Sequence, residues 1–469
     1  MKIRNYSTGL LLLTCILFGN KMLAQSTINE LLKKKPVAPD HKRIENYKFA
    51  EIKTYSFTYA NGVKIVVRAD TNSKVAQFRA IGRGGASLFD DVDFQSAIHA
   101  GQIIGKSGLG DYSQTEISKF FQQKHITLAP AIDEKYSTLK GTFNPGDLEI
   151  FLQAVYLYFT QPRKDKVAFN SYIKSMEAST ALHAKNPYAI LQDTIARLTS
   201  GNESRANILS ATKIKQISLD KAYAIYRNCF SNARGFTFVI TGNFEADGMN
   251  EPASIIPMLS QYLGSLPSTT DTTKVADRNT EIPKGKIYKK IYNGNAALAA
   301  VQLIYSGTYQ YADSVNLQLN ALSYLLQKKL DTCKSFRGAS KTSVNLEMNK
   351  LPKETYAVNI AFKCAPKLVE KMTAIVHETI AVLQKGIDPS EIKQYYAFRK
   401  AEIKALTQSD TLFWPNYLAQ QFVNYEDPCE IANYPYSLRM ANEHTVQQAA
   451  NQFLAGDNYI QAILLPAKM

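Results

Sequence analysis

The side chains that could do chemistry are few and widely spaced. The six histidines are His41, His99, His125, His183, His377 and His444, and no two stand four apart. Two imidazoles at i and i+4 share one helix face and can hold Zn²⁺, with an intervening glutamate as base for the metal-bound water. Local spacing supplies no such pair here. Beyond the N-terminal segment the cysteines are Cys229, Cys333, Cys364 and Cys429, with no C-x-x-C arrangement. Buried free thiols are expected in a chain this long, with one disulfide as the alternative in an oxidising compartment. Gly82-Arg83-Gly84-Gly85 follows a predicted strand but lacks the G-x-G-x-x-G or G-K-[ST] spelling that cradles phosphate, and no G-x-S-x-G elbow occurs. The methionines and the aromatic run from Phe151 to Phe159 have the spacing of helical core stripes.

The elements that must carry these residues begin after an export signal. Residues 1–25 read as a signal peptide: Lys2 and Arg4, then the apolar run Leu10 to Phe18, then Ala24-Gln25 as the place of cleavage. Cys15 lies inside the apolar run, which argues against a lipoprotein. No other stretch approaches the roughly 18 apolar residues of a membrane helix, so no span is expected after signal removal, and the mature chain is expected in the periplasm or secreted. The formal charge of +15 falls to about +12 when Lys2, Arg4 and Lys21 leave with the signal. The basic residues are scattered, without interleaved aromatics on one helix, which excludes a nucleic-acid partner. They read as a solvated surface, with an acidic partner surface as the alternative.

About 440 residues remain, enough for two domains. Residues 26–50 are Lys- and Pro-rich and read as a leader. Two β-rich runs around Asn61-Gly62 predict a hairpin, Gln77–Gly82 a third strand, and Ser96–Lys106 a helix. Ser113 and Glu116 fit a capping box. Strand is expected over Ala131–Phe143, helix from Leu148 to Phe159 and on through Ala184, then helix, turn and strand over 222–241. Apolar periodicity is lost from 265 and the segment 269–284 reads as a linker. A second unit then repeats the plan, from the strand-like run Lys286–Ser306 to a closing helix, turn and strand over 446–466. That match points to an internal duplication. The expected fold is α+β, with a first domain over 51–268 and a second over 285–469.

Several local patterns, in their order along the chain, resemble the insulinase/pitrilysin metallopeptidases (inverzincins). They are Phe57 to Arg68, Ser107 to Ser113, Asn144 to Glu149 followed by Tyr156 to Asp165, Phe236 to Gly242, Leu259 to Pro267, Lys385 to Ile392, and Ile463 to Pro466. The segment Ser107 to Ser113 is similar to that of the family's non-catalytic halves. The resemblance implies two related α+β domains forming one half of a chamber. In active members one half supplies H-x-x-E-H and a downstream Glu. Counting back from Ser107-Gly108, that motif falls at His99-Ala100-Gly101-Gln102-Ile103, so the base is replaced by Gln102 and the second ligand by Ile103. Glu177 lies at approximately the distance of the third ligand. Taken alone, His99 reads as an ordinary partly buried histidine and Glu177 as a solvated helix position.

The resemblance also implies an Arg and a Tyr that help hold substrate in the second domain of the non-catalytic half. Arg337 matches the Arg, but no Tyr occurs between it and Tyr356, so Arg337 also reads as a surface arginine. The expectation is a non-catalytic subunit with no catalytic residues and no bound metal of its own. It would close a chamber and bind peptides with an exported H-x-x-E-H partner chain that holds the zinc, as a heterodimer. The alternative is an inactive structural or peptide-binding homologue with no peptidase role.

Overall fold

The computed structural model describes residues 28, 30–39, 43–70, 73–201, 204–206, 208, 210–244, 252–270, 274–278, 282–294, 297–334 and 342–467. The predicted signal peptide lies outside them. Residues up to Lys35 form a small unit of their own, in which Lys35 pairs with Glu30 at 3.1 Å. Pro36 onward forms the second unit, which carries all the elements below.

The fold is α+β, built on two sheets. The first contains β1 (Arg43–Phe49), β2 (Thr54–Tyr59), β3 (Lys64–Ala69), β4 (Ala76–Arg83), β5 (Thr127–Ile132), β6 (Tyr136–Phe143) and β7 (Phe236–Gly242), in the order β1-β2-β3-β7-β4-β6-β5. The β2–β3 hairpin forms where Asn61-Gly62 predicts it. Gly62 takes φ +84, and the Asn61 side-chain oxygen accepts from Val63 N at 3.1 Å. A Cβ on Gly62 would meet the Arg234 side chain at 2.4 Å, and Arg234 donates to the Asn61 carbonyl at 3.1 Å.

The second sheet contains β8 (Gly285–Gly294), β9 (Ala299–Thr308), β10 (Ser343–Asn349), β11 (Thr355–Cys364) and β12 (Asn458–Pro466), in the order β10-β11-β9-β12-β8. In both sheets the last strand runs parallel to the first strand of a common five-stranded plan and antiparallel to the next: β7 with β3 and β4, β12 with β8 and β9. The remaining pairs, β4–β6–β5 and β9–β11–β10, are antiparallel as well. The second sheet therefore repeats β3-β7-β4-β6-β5 strand for strand. The first sheet has β1 and β2 in addition, and β1 occupies residues expected in the leader.

Two predicted strands divide. Ala131–Phe143 belongs to a hairpin, because the Asp133 carboxylate accepts from Lys135 N and Tyr136 N at 2.8 and 2.7 Å and turns the chain. Lys286–Ser306 is split into β8 and β9, which are separated in the sheet by β12.

Helices cover both faces of each sheet. The first half supplies α1 (Phe94–Gly105), α2 (Gln114–Lys124), α3 (Leu148–Thr160), α4 (Lys166–His183), α5 (Pro187–Ser200), α6 (Leu219–Phe230) and α7 (Ile256–Tyr262). The second supplies α8 (Asp313–Thr332), α9 (Val369–Lys385), α10 (Pro389–Ser409), α11 (Phe413–Asn424), α12 (Glu430–Ser437) and α13 (Glu443–Phe453). Phe151 of α3 packs against Phe78 and Phe143 of the first sheet. In the second half, α8, α9 and α13 bury one core with β9, β11 and β12.

The opposite faces are covered reciprocally. Leu191 and Ile195 of α5 pack on Ala300, Ile304, Ile460, Ala462 and Leu464 of the second sheet. Trp414, Leu418, Ala419 and Val423 of α11 pack on Val66, Ile81 and Val239 of the first. Each half thus completes the other, which makes their unfolding cooperative. Trp414 is the chain's single tryptophan, so its fluorescence reports the α11 contact alone. Leu191→Ala lies in the other contact and is expected to cost about 2–5 kcal/mol. The Trp414 fluorescence transition in urea should move to lower denaturant together with the circular-dichroism transition; a fluorescence midpoint unchanged by the substitution would show that the halves unfold independently.

Candidate functional site

Helix α1 carries the predicted motif positions and lies unusually close to β5. A Cβ on Gly101 would meet the Ala131 Cα at 2.6 Å, and one on Gly105 would meet the Pro130 ring at 3.2 Å. Glycine at these two positions is what lets α1 approach the strand. Helix α4 starts where the Asp165 carboxylate accepts from Val167 N and Ala168 N, both at 2.9 Å. It brings Tyr172, 7% exposed, against α1.

The phenol of Tyr172 is the centre of the site. Its hydroxyl donates to Gln102 Oε1 at 2.7 Å and lies 2.8 Å from His99 Nδ1. With the phenol proton directed at Gln102, the network assigns the His99 proton to Nδ1, donating to the phenol oxygen. The two rings meet edge to face at 6.0 Å between centroids. Burial holds the imidazole neutral, pulling its pKa down to about 4, and pushes the phenol up to about 12.

The structure brings together only some of the predicted residues. His99 and Gln102 share Tyr172, whereas Ile103, 1% exposed, belongs to the core. Glu177 is exposed on α4; five residues beyond Tyr172, it projects about 140° around the helix from it. Arg337 lies outside the described residues. The sequence reading did not single out Tyr172, because its partners lie 70 and 73 residues away and nothing local marks it.

These residues do not fit Zn²⁺. A catalytic zinc site needs three protein ligands and an open position for water. Here the donors are one imidazole, with Nδ1 engaged, a neutral amide and a phenol that holds its proton. Among the described residues no group of three or more His, Cys, Asp or Glu side chains is placed to hold a metal. The amide cannot take a proton from water, so Gln102 cannot do the work of the glutamate base in H-x-x-E-H. Cys229, Cys333, Cys364 and Cys429 are all free thiols. Beside Tyr172 a cavity of about 390 Å³ opens between Lys106, the start of α2 at Ser113 and Gln114, and Ser171 and Ser175 of α4.

Residues 216–397 match the family described as Peptidase M16 inactive domain. The chain is 21% identical over 423 residues to the probable zinc protease PqqL of Haemophilus influenzae, a match covering 88% of this chain and 44% of that protein. It spans less than half the length of the curated relatives it matches. The crystal structure of the periplasmic protease PqqL from Escherichia coli has the same fold, with TM-score 0.80 at 19% identity over 97% of this chain and 50% of that one. The peptidase M16 inactive domain from Pseudomonas fluorescens has TM-score 0.72 at 13% identity, over 88% of this chain and 99% of that one.

The neutral imidazole has a measurable consequence. The folded pKa of about 4 lies below the ordinary 6.5, so the unfolded chain binds more protons between those values. The stability due to neutral His99 is complete above pH 6.5 and is lost as pH falls towards 4. In wild type, urea midpoints should decline over that range, and His99→Gln should flatten the decline; an unchanged slope in the variant would contradict a buried neutral imidazole. Tyr172→Phe is expected to cost about 1–2 kcal/mol in the same assay.

By sequence this chain is similar to the probable zinc protease PqqL, by fold it is similar to the periplasmic protease PqqL, and over residues 216–397 it matches the Peptidase M16 inactive domain.

Proposed function

We propose that the chain is a non-catalytic subunit of an exported zinc peptidase, closing a chamber and binding peptide together with a separate chain that carries H-x-x-E-H. The observation that carries this reading is the Tyr172 hydroxyl held between His99 and Gln102. On the proposed alignment it stands where active members assemble metal, base and water, and it leaves a peptidase fold without means of hydrolysis. Homology to PqqL, a two-half protein of which this chain covers one half's length, supports a partner half. The charged, apolar and small order of residues 1–25 and the periplasmic setting of the Escherichia coli relative support export. Among the described residues no helix is long and apolar enough to cross a membrane.

In this reading the zinc belongs to the partner. The cavity beside Tyr172, lined by hydroxyls, an amide and Lys106, supplies donors and acceptors suited to a peptide backbone. Arg337 is proposed as a further contact to peptide carbonyls, on the family resemblance alone.

The test is reconstitution with an exported H-x-x-E-H chain from the same source. Cleavage of a quenched fluorescent peptide is expected for the pair, with neither cleavage nor stoichiometric zinc for this chain alone. Zinc and cleavage by the purified chain would overturn the reading. A pair no more active than the partner by itself would favour a structural homologue without a peptidase role.

A further inference from the structure

The duplication exposes an asymmetry at one strand. In the first sheet β3 is an interior strand, because β2 pairs with its outer side and β1 with β2. Its counterpart β8 ends the second sheet: it pairs with β12, and among the described residues no strand pairs with its other side. Strand β8 runs for 10 residues, roughly 33 Å, without a proline. Every second residue turns its N–H and C=O away from β12, and so offers a template for another strand.

Its side chains narrow the class of occupant. The segment Gly285-Lys-Ile-Tyr-Lys-Lys-Ile-Tyr-Asn-Gly294 contains Lys286, Lys289 and Lys290 and no carboxylate. Ile287 and Ile291 pack towards α5, while Tyr288 and Tyr292 stand 65% and 46% exposed. At the start of the strand a cavity of about 300 Å³ opens between β8, α9 and β12. Lys286, Tyr288, Tyr305, His377, Gln384 and Tyr459 line it, and no carboxylate does. His377 stands between two phenols, with Nδ1 at 3.0 Å from the Tyr305 hydroxyl and Nε2 at 3.5 Å from that of Tyr459. The ammonium, imidazole and phenols all suit an anionic side chain. A second copy of the chain is a poor occupant, since pairing β8 with itself would set lysines beside lysines.

We propose that the outer edge of β8 receives an extended acidic segment of a partner polypeptide as an added strand, with one carboxylate of that segment entering the cavity at Lys286 and His377. Main-chain hydrogen bonds along the edge give affinity, and the lysines with the cavity select acidic sequence. The position is the one that β2 fills in the first sheet. The inference concerns a surface separate from Tyr172 and stands whether or not the chain serves a peptidase.

The test uses the full chain and three fluorescein-labelled peptides of about ten residues, matched to the length of β8. One alternates valine and glutamate, one alternates valine and lysine, and the third is the glutamate peptide N-methylated at alternate backbone nitrogens. Anisotropy should show the glutamate peptide binding roughly tenfold or more tightly than either of the others. Hydrogen exchange should show its protection confined to 285–294 and the cavity. Lys289→Glu/Lys290→Glu, on exposed positions, should weaken binding roughly tenfold or more with an unchanged circular-dichroism spectrum. Equal binding by the N-methylated peptide, absence of binding at millimolar concentration, or protection elsewhere would overturn the proposal. Protection of 285–294 that grows with protein concentration without peptide would instead assign the edge to a second copy.

Discussion

Two helices laid across each other's sheets hold this molecule in one piece. Helix α11 covers the first sheet and α5 covers the second, so each half leaves a hydrophobic face that only the other half can bury. Basic side chains strengthen both contacts. The Arg68 guanidinium lies 4.1 Å from the Trp414 ring centroid, Arg83 lies 4.3 Å from that of Tyr425, and the Lys363 ammonium lies 4.1 Å from that of Tyr188. Arg79 donates to Asn416 Oδ1 at 2.9 Å and Arg83 to the Val423 carbonyl at 2.7 Å. Burial draws the pKa of Arg68 and Arg79 down, but a guanidinium stays charged, so these contacts offset a desolvation cost. The apolar burial provides the attraction and the polar contacts fix which faces meet.

Within that frame, helix α1 carries the positions at which the family resemblance would put a metal motif, and Tyr172 ties two of them, His99 and Gln102, into a neutral network. A phenol between an imidazole and an amide links the three side chains by hydrogen bonds without a charge. Such a network rewards burial. Zinc hydrolysis requires the opposite arrangement: lone pairs held open towards a cation and a carboxylate ready to take a proton.

The duplication has a similar consequence. Two sheets with one five-stranded plan share a core logic, in which a helix leads into a last strand that runs parallel to the first. Parallel pairing needs such a crossover. The copies diverge at the periphery, where the first has β1 and β2 and the second, among the described residues, has no counterpart. Peripheral strands can be gained or lost without repacking the centre, which leaves β8 as an edge among the described residues.

Much of this was legible from residue order. The β2–β3 hairpin followed from Asn61-Gly62, and the start of α2 from Ser113 and Glu116, whose capping box is present. The α+β class, the repeated closing helix and strand, and the lack of an i, i+4 histidine pair were legible too, because each depends on residues close in sequence. Tyr172 was not, since its meaning comes from residues 70 and 73 positions away. Nor were the reciprocal helices or the edge at β8: an apolar helix face states that it must be buried but not against which sheet, and a strand's sequence does not say whether it has one neighbour or two. Local hydrogen bonding and side-chain periodicity are written in the chain; which buried faces meet is decided only when the whole chain packs.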